Sequence, residues 1–398
     1  MQSWALVSCY LWHGCSTEIF RQVYYNLILT YHGPLHDSGA IGMAASTLKL
    51  LSLSGDGIGP EIVQATKTVL TALTQSCGLQ IAWEDMEIGL SALKASGSTI
   101  PDTVITAAKE VDGVLLGPVS HNVYPPVSEG GLNPSGVLRR ELELFANIRP
   151  ALSLEALPNP ISKPIDLVIY RENLEGFYAD RNMASGGSEF IAVEGVALAM
   201  RKITAQGSKR IARAAFEGAM QRPARHVTAV HKANVMRLTD GLFLKEVRKM
   251  AAHYPDVVYD EILVDAAAAL LVRDPGRFDV IVTTNMFGDI LSDLASELSG
   301  GLGLAGSLNL GTEHAVAQAQ HGSAPDIAGL NQANPTSLIR STAMLLLHLG
   351  AIDPAALLTE CLQSVLSDPT SRTRDLGGRL GTQEFAAHLA NLIRKEKR

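Results

Sequence analysis

From Leu48 onward, short apolar runs alternate with longer stretches of helical periodicity. That alternation confines the chain to an α/β architecture. Leu48–Ser54 reads as a buried strand, Gly55–Pro60 as a turn, and Glu61–Gln75 as a helix with Ile62, Val63, Thr66, Val69 and Leu70 on its apolar face. Val111–Leu116, Asp166–Tyr170, Val227–Val230, Val257–Val264 and Asp279–Thr283 are further strand candidates. Helical spacing recurs over Ile203–Met220, Thr239–Ala252, Phe287–Leu298 and Thr336–Leu349. No internal repeat or low-complexity linker interrupts the pattern, so any second domain has to be found from motifs.

The front of the chain is different. Residues 1–42 hold 7 of the 21 aromatics but only 3 of the 73 charged residues, and Met43 follows directly. This stretch lacks the basic start of a signal or transit peptide. It reads either as an over-extended start or as an added N-terminal segment. The remainder sets exclusions. A net charge of −7 argues against nucleic acid as a partner. No apolar run reaches the ~18 residues of a membrane span. Four cysteines (Cys9, Cys15, Cys77, Cys361) are too scattered for a disulfide framework or a zinc site and fit a reducing compartment, the cytoplasm.

Four groups of residues carry candidate chemistry. In Gly55-Asp56-Gly57-Ile58-Gly59-Pro60, proline stands where a dinucleotide fingerprint needs its last glycine. Proline suits the first turn of a helix, and a tight strand-to-helix turn accounts for the glycines as well as a dinucleotide contact does. Arg139, Arg149 and Arg171 are each, taken singly, ordinary surface residues. Converging on one pocket they would match a di- or tricarboxylate bidentately. Asp289 and Asp293 lie four residues apart, on one helix face, where like charges repel unless a cation or substrate intervenes. An acidic helix terminus is the alternative. Asp265 lies further upstream, at the end of a strand (Glu261–Val264), and oxygen ligands of this kind suit Mg²⁺ or Mn²⁺. Lys232 and Tyr178 are candidate proton-transfer groups, against the plainer readings of a solvated lysine and a packing tyrosine.

GDGIGPEI (residues 55–62) resembles the opening of the isocitrate and isopropylmalate dehydrogenases, the β-decarboxylating dehydrogenase family. The likeness recurs in order at LRRELELFANIRP, IYRENLEGFY, VHKANVM, VDAAA, NMFGDILSDLASEL, HGSAPDIAG and ANPTS, and so spans nearly everything beyond Met43. It implies the isopropylmalate dehydrogenase-like two-domain α/β fold, not a Rossmann fold. The expected domains are a cofactor-binding one from residues 44–144 and 300–398, and a second from 145–299 carrying metal ligands and dimer contacts. Residues 1–43 match nothing in the family.

The resemblance also implies roles. Arg139, Arg149 and Arg171 would hold the malate-like carboxylates. Asp265, Asp289 and Asp293 would bind the divalent ion, with Asp265 supplied by the partner of a homodimer. Lys232, also crossing from the partner, would take the hydroxyl proton, and a nearby cation favours the neutral form of such an amine. Tyr178 would protonate the enol, and His231 is read as structural. His321, Gly322, Ser323, Ala324, Asp326, Ile327 and Asn334 match the adenosine loop. Asp326 would accept from ribose hydroxyls and repel a 2′-phosphate, which selects NAD over NADP; NADP-using members carry Lys and Tyr at the positions of Asp326 and Ile327. One departure stands out: Gln318 occupies the place, three residues before His321, where many members have Glu.

For the substrate, isopropylmalate members place Glu and two leucines seven, four and three residues before the first arginine. Those positions here are Leu132, Ser135 and Gly136. Isocitrate members carry Ser and Asn six and four residues before it, and this chain has the same pair exchanged, Asn133 and Ser135. The expectation is NAD-dependent oxidative decarboxylation of a 3-substituted malate, leaning to an isocitrate-like acid. Isopropylmalate, tartrate, D-malate, or a non-catalytic regulatory subunit of a heteromeric isocitrate dehydrogenase stay as alternatives.

Overall fold

The computed structural model describes residues 47–177 and 189–396. The aromatic front of the chain and Tyr178 lie outside the described residues. The N-terminal half gives β1 (Leu48–Leu53), α1 (Gly59–Cys77), β2 (Ile81–Met86), α2 (Leu90–Ser96), α3 (Asp102–Glu110), β3 (Gly113–Leu116), α4 (Pro134–Glu141), β4 (Ala146–Leu152) and β5 (Asp166–Glu172). The hairpin β6 (Glu189–Val193) and β7 (Val196–Ala199) precedes α5 (Ala205–Met220), β8 (His226–His231), α6 (Thr239–Ala251), β9 (Val258–Leu263) and α7 (Val264–Arg273). β10 (Val280–Thr283), α8 (Asn285–Ser299), β11 (Leu308–Leu310), β12 (Ala315–Gln318), α9 (Thr336–His348), α10 (Ile352–Ser367) and α11 (Thr382–Lys395) complete it.

Ten strands form one sheet in the order β2-β1-β3-β12-β11-β4-β5-β10-β8-β9. Each end is parallel: β2, β1, β3 and β12 on one side, β5, β10, β8 and β9 on the other. The centre is antiparallel, because β11 runs against both β12 and β4, and β4 runs against β5. An all-parallel Rossmann sheet is thereby excluded. The strands of the first end come from residues 48–116 and 315–318, and α1 packs on α11 from the C-terminus. The second end is built from residues between Asp166 and Thr283.

The first expected strand and helix are found, with sharper ends. Pro60 sits in the first turn of α1, and Gly78 closes that helix in the left-handed conformation at φ 70°. Ile62, Val63, Val69, Leu70 and Leu73 are buried along its inner face. Gly55 and Gly57 have positive φ, and a Cβ on them would strike the carbonyl oxygens of Pro118 and Ser323. Their smallness therefore lets the strand-to-helix turn press against the β3 exit and the loop that begins at His321. The expected strand Val257–Val264 ends at Leu263 instead, so Asp265 falls in the first turn of a helix, α7.

Other elements carried too weak a pattern to be foreseen. β4 contains Pro150, which argues against a strand interior. β11 pairs only with Ala146–Ile148, so beyond that point β4 has a neighbour on one side alone and a missing N–H is tolerated. β11 and β12 span three and four residues, too short to show a period.

In the second end, α5 buries Ile211, Ala212, Ala215, Phe216 and Ala219 against the sheet. Phe216 is fully buried and stacks on Tyr254 at a centroid separation of 5.4 Å. Among the described residues no helix is long and apolar enough to cross a membrane. Phe216→Ala removes a ring at this junction and is expected to destabilise the fold by about 3–5 kcal/mol. Urea unfolding should show this as a lower midpoint at unchanged slope.

Candidate active site

The antiparallel centre of the sheet positions the key side chains. Arg149 lies opposite Ile169 across the β4–β5 ladder, and Arg171 lies opposite Asn147. Residues two apart share a face, so the two guanidiniums emerge on the same side as diagonal neighbours. Arg139 comes from the last turn of α4, whose N-cap is Asn133, accepting from the backbone N–H of Gly136 at 3.3 Å. Arg139, Arg149, Arg171, Asn133 and Ser135 line one cavity together with Asp289, Gln318, His321 and Gly322. Sequence spacing alone could not make the arginines converge; strand register and the helix end do.

Helix α8 faces them. Arg171 donates from Nε and Nη2 to Asn285 Oδ1 (3.0 and 2.6 Å) and from Nη1 to Asp289. Arg149 Nη1 donates to Asp289 Oδ1 at 3.1 Å, Asp293 Oδ1 at 3.1 Å and Ser292 Oγ at 2.7 Å. Burial would raise the Asp289 carboxyl, but Arg171, Arg149 and Arg139 outweigh it and hold it below the usual carboxylate range. Gly288 allows the approach: a Cβ there would lie 2.6 Å from Arg171 Cγ.

Asn285, Ser292, Gln320 and Gly288 were not anticipated. Asn285, Asp289, Ser292 and Asp293 recur at helical spacing, so a polar stripe on an otherwise apolar helix was the available signal. Gln320 donates to Asp293 Oδ1 at 2.9 Å and to Ser296 Oγ at 3.0 Å.

The cofactor-loop residues split by environment. Burial pushes the His321 imidazole below its ordinary pKa; its Nδ1–H donates to Gly322 O at 2.9 Å, and its buried Nε2 has no hydrogen-bond partner among the described residues. An orphaned acceptor of this kind fits a donor group on a bound nucleotide. Ser323 is fixed internally, its carbonyl accepting from Ile58 N at 2.8 Å and its hydroxyl from Ser120 Oγ at 2.7 Å. Ala324 takes a left-handed conformation (φ 36°), and Pro325–Ile327 form a short 3-10 turn. Asp326 is exposed and in no ion pair among the described residues. Asn334 is used within the fold, donating to Asp375 Oδ2 at 2.8 Å and accepting from Thr336 N at 3.0 Å.

Lys232 and Asp265 are not in the cavity lining. Lys232 Nζ instead donates to Asp265 Oδ1 at 2.7 Å, with the carboxylate two-thirds exposed. Among the described residues, no three His, Cys, Asp or Glu side chains gather in a metal-holding group. Asp289 and Asp293 supply hard oxygen donors that fit a divalent ion, but only two of them. His231 caps its own turn, Nδ1 accepting from Ala233 N at 3.1 Å, and burial lowers its pKa.

Three comparisons bear on this arrangement. Residues 49–389 match the family model described as isocitrate/isopropylmalate dehydrogenase. The chain is 41% identical over 345 residues to the 3-isopropylmalate dehydrogenase of Archaeoglobus fulgidus, covering 87% of this chain and 99% of that one. It is 40% identical over 332 residues to the mitochondrial isocitrate dehydrogenase [NAD] catalytic subunit 5 of Arabidopsis thaliana, covering 83% and 84%. Among solved structures, the isocitrate dehydrogenase from Methylococcus capsulatus aligns with a TM-score of 0.79 at 40% identity, covering 87% of this chain and 100% of that one.

Behind the arginines, Glu172 alternates to the other face of β5 and is buried, accepting from Glu175 N at 2.7 Å and Leu174 N at 3.1 Å. Burial first, then the nearby Glu175, pushes its pKa from 4.5 up to about 7. Between those values the folded state holds a proton that the unfolded chain has released. Its contribution is complete below pH 4.5 and lost as pH rises through about 7. Thermal unfolding from pH 5 to 8 should lose on the order of 1–3 kcal/mol of stability, and Glu172→Gln should flatten that slope.

Proposed function

The chain belongs to the isocitrate/isopropylmalate dehydrogenase family of β-decarboxylating dehydrogenases, and on that premise we propose that it oxidatively decarboxylates a 3-substituted malate with NAD and Mg²⁺ or Mn²⁺. One observation carries this reading: three guanidiniums from α4, β4 and β5 line a single cavity with Asp289 of α8, His321 and Gly322, and Asp293, one turn further along α8, pairs with Arg149. Such a cavity suits a small polyanion with a cation between it and the aspartates.

Arg139, Arg149 and Arg171 bind the carboxylates and fix the α-hydroxyl in place. Asp289 and Asp293, with Asp265 of the partner subunit, would hold the divalent ion. Lys232 from the partner takes the hydroxyl proton on Nζ, the β-carboxylate leaves as CO₂, and the Tyr178 hydroxyl returns a proton to the resulting enol carbon. When bound, NAD accepts the hydride and the ion supplies Lewis-acid stabilisation of developing negative charge. Asp326 receives the adenosine ribose hydroxyls, and its charge disfavours a 2′-phosphate. Every proton-transfer and carboxylate-binding residue of the motifs is present, which favours a catalytic over a regulatory role.

The place of Lys232 and Asp265 supports a site shared between two subunits. Both lie outside the cavity of their own chain, and Val235, Leu238, Val272 and Ile290, near them or Asp289 in the sequence, leave apolar surface exposed. Ile290 neighbours Asp289 on α8. A two-fold copy covering that surface would bring each Lys232–Asp265 pair to the other chain's aspartates.

The isocitrate-like preference is supported by Leu132, which packs into the apolar cluster with Val137 and Leu138 rather than lining the cavity. Asn133 and Ser135 line it instead.

Incubation with NAD, Mn²⁺ and a panel of isocitrate, 3-isopropylmalate, D-malate and tartrate should yield NADH fastest with isocitrate. No NADH from any of the four sinks the reading. NAD should be preferred over NADP by about tenfold or more, and Asp326→Lys should erode that preference. Lys232→Met and Arg171→Met are each expected to abolish turnover. Co-expressing the two variants should restore about a quarter of it through mixed dimers with one intact site; no restoration would place both residues in one chain's site.

A further inference from the structure

Gln318 lines the same cavity and is held on both sides: its backbone N–H donates to Ser307 O at 3.1 Å and its carbonyl accepts from Ser341 Oγ at 2.9 Å. Its side chain ends a run of amides that crosses the antiparallel centre of the sheet. Asn173 Nδ2 donates to Leu144 O at 3.0 Å, a backbone carbonyl that can only accept, and to Asn309 Oδ1 at 3.0 Å. Asn147 Nδ2 donates to the same Asn309 oxygen at 3.1 Å. Asn309 must then present Nδ2 on its other side, where it reaches Val316 O at 3.4 Å and Gln318 Oε1 at 3.5 Å.

Two backbone carbonyls thus anchor the direction of the run, and Gln318 is left with Nε2 facing Ser135 Oγ at 2.7 Å. A serine oxygen that accepts from an amide must point its own hydrogen elsewhere. No acceptor for that hydrogen is found among the described residues, and Ser135 borders the space between the three arginines.

We propose that Gln318 is a positioning residue that commits the Ser135 hydroxyl to donate into the cavity, so that the site selects a C3 substituent bearing a hydrogen-bond acceptor, a carboxylate above all. The inference rests on the cavity being the site of a 3-substituted malate. A purely alkyl substituent would leave the serine hydrogen buried and unmatched, and an unpaired buried donor is the strongest source of discrimination between small substrates. Glutamate at position 318 would reverse the sense. Its carboxylate accepts only, takes the Ser135 hydrogen, and turns the serine's lone pairs toward the substrate's negative charge.

The test compares wild type, Ser135→Ala, Gln318→Glu and the double variant, with NAD and Mn²⁺ saturating. Ser135→Ala and Gln318→Glu should each raise KM for isocitrate about ten- to a hundredfold while changing kcat far less. On the Ser135→Ala background, Gln318→Glu should add less than about twofold, because the serine it acts through is gone. Ser135→Ala keeps the amide run and a good helix former, so it reads the donor even if Gln318→Glu folds poorly. An unchanged KM in Ser135→Ala, or equal losses from Gln318→Glu with and without Ser135, overturns the inference. A wild type faster with 3-isopropylmalate than with isocitrate also overturns it while leaving the reaction class intact. A wild type inactive with every acid of the panel removes the reading of the cavity and this inference together.

Discussion

Arg139, Arg149 and Arg171 bring three positive charges into one cavity, and Arg149 and Arg171 are buried. Charges taken out of water cost several kcal/mol each unless they are paired and hydrogen-bonded. Much of the centre of the molecule can be understood as meeting that demand. Asp289 serves both buried arginines, Asn285 accepts from Nε and Nη2 of Arg171, and Ser292 and Asp293 accept from Nη1 of Arg149. Helix α8 is apolar on one face and polar on the other for this reason. Its polar stripe is the counter-charge to the strands it covers.

The same demand sets the backbone. The two arginines reach one helix face from adjacent strands because antiparallel β4 and β5 hold Arg149 and Arg171 in diagonal register on one side of the sheet. That antiparallel pair, extended by β11, is also where the two parallel ends of the sheet join. Buried amides of Asn147, Asn173 and Asn309 stitch the join with hydrogen bonds of 3.0–3.1 Å and carry its polarity to Gln318. The fold's seam and the cavity's chemistry therefore share residues. A change at Asn309 would be felt in both.

How much was legible beforehand depended on the length and contrast of each signal. α1 declared itself through a long apolar stripe, Pro60 at its start and Gly78 at its end. β4 did not, because Pro150 contradicts a strand until its one-sided pairing is known. The resemblance of the motifs named the arginines and aspartates, but Asn285, Ser292 and Gln320 drew no attention, since a neutral polar residue on a helix is usually solvated. Lys232 and Asp265 show the opposite case: the motifs single them out, and within one chain they pair with each other outside the cavity.

By itself the sequence determined the α/β class, the family, and which arginines, aspartates and loop residues its motifs single out. Those follow from hydrophobic period and from motifs, which are local properties of the chain. Tertiary structure alone decided which of these groups share a cavity, because convergence depends on strand register and helix phase over separations such as 118 residues between Arg171 and Asp289. It also decided the direction of the Gln318–Ser135 hydrogen bond. An amide can face either way until fixed acceptors at the far end of its network orient it.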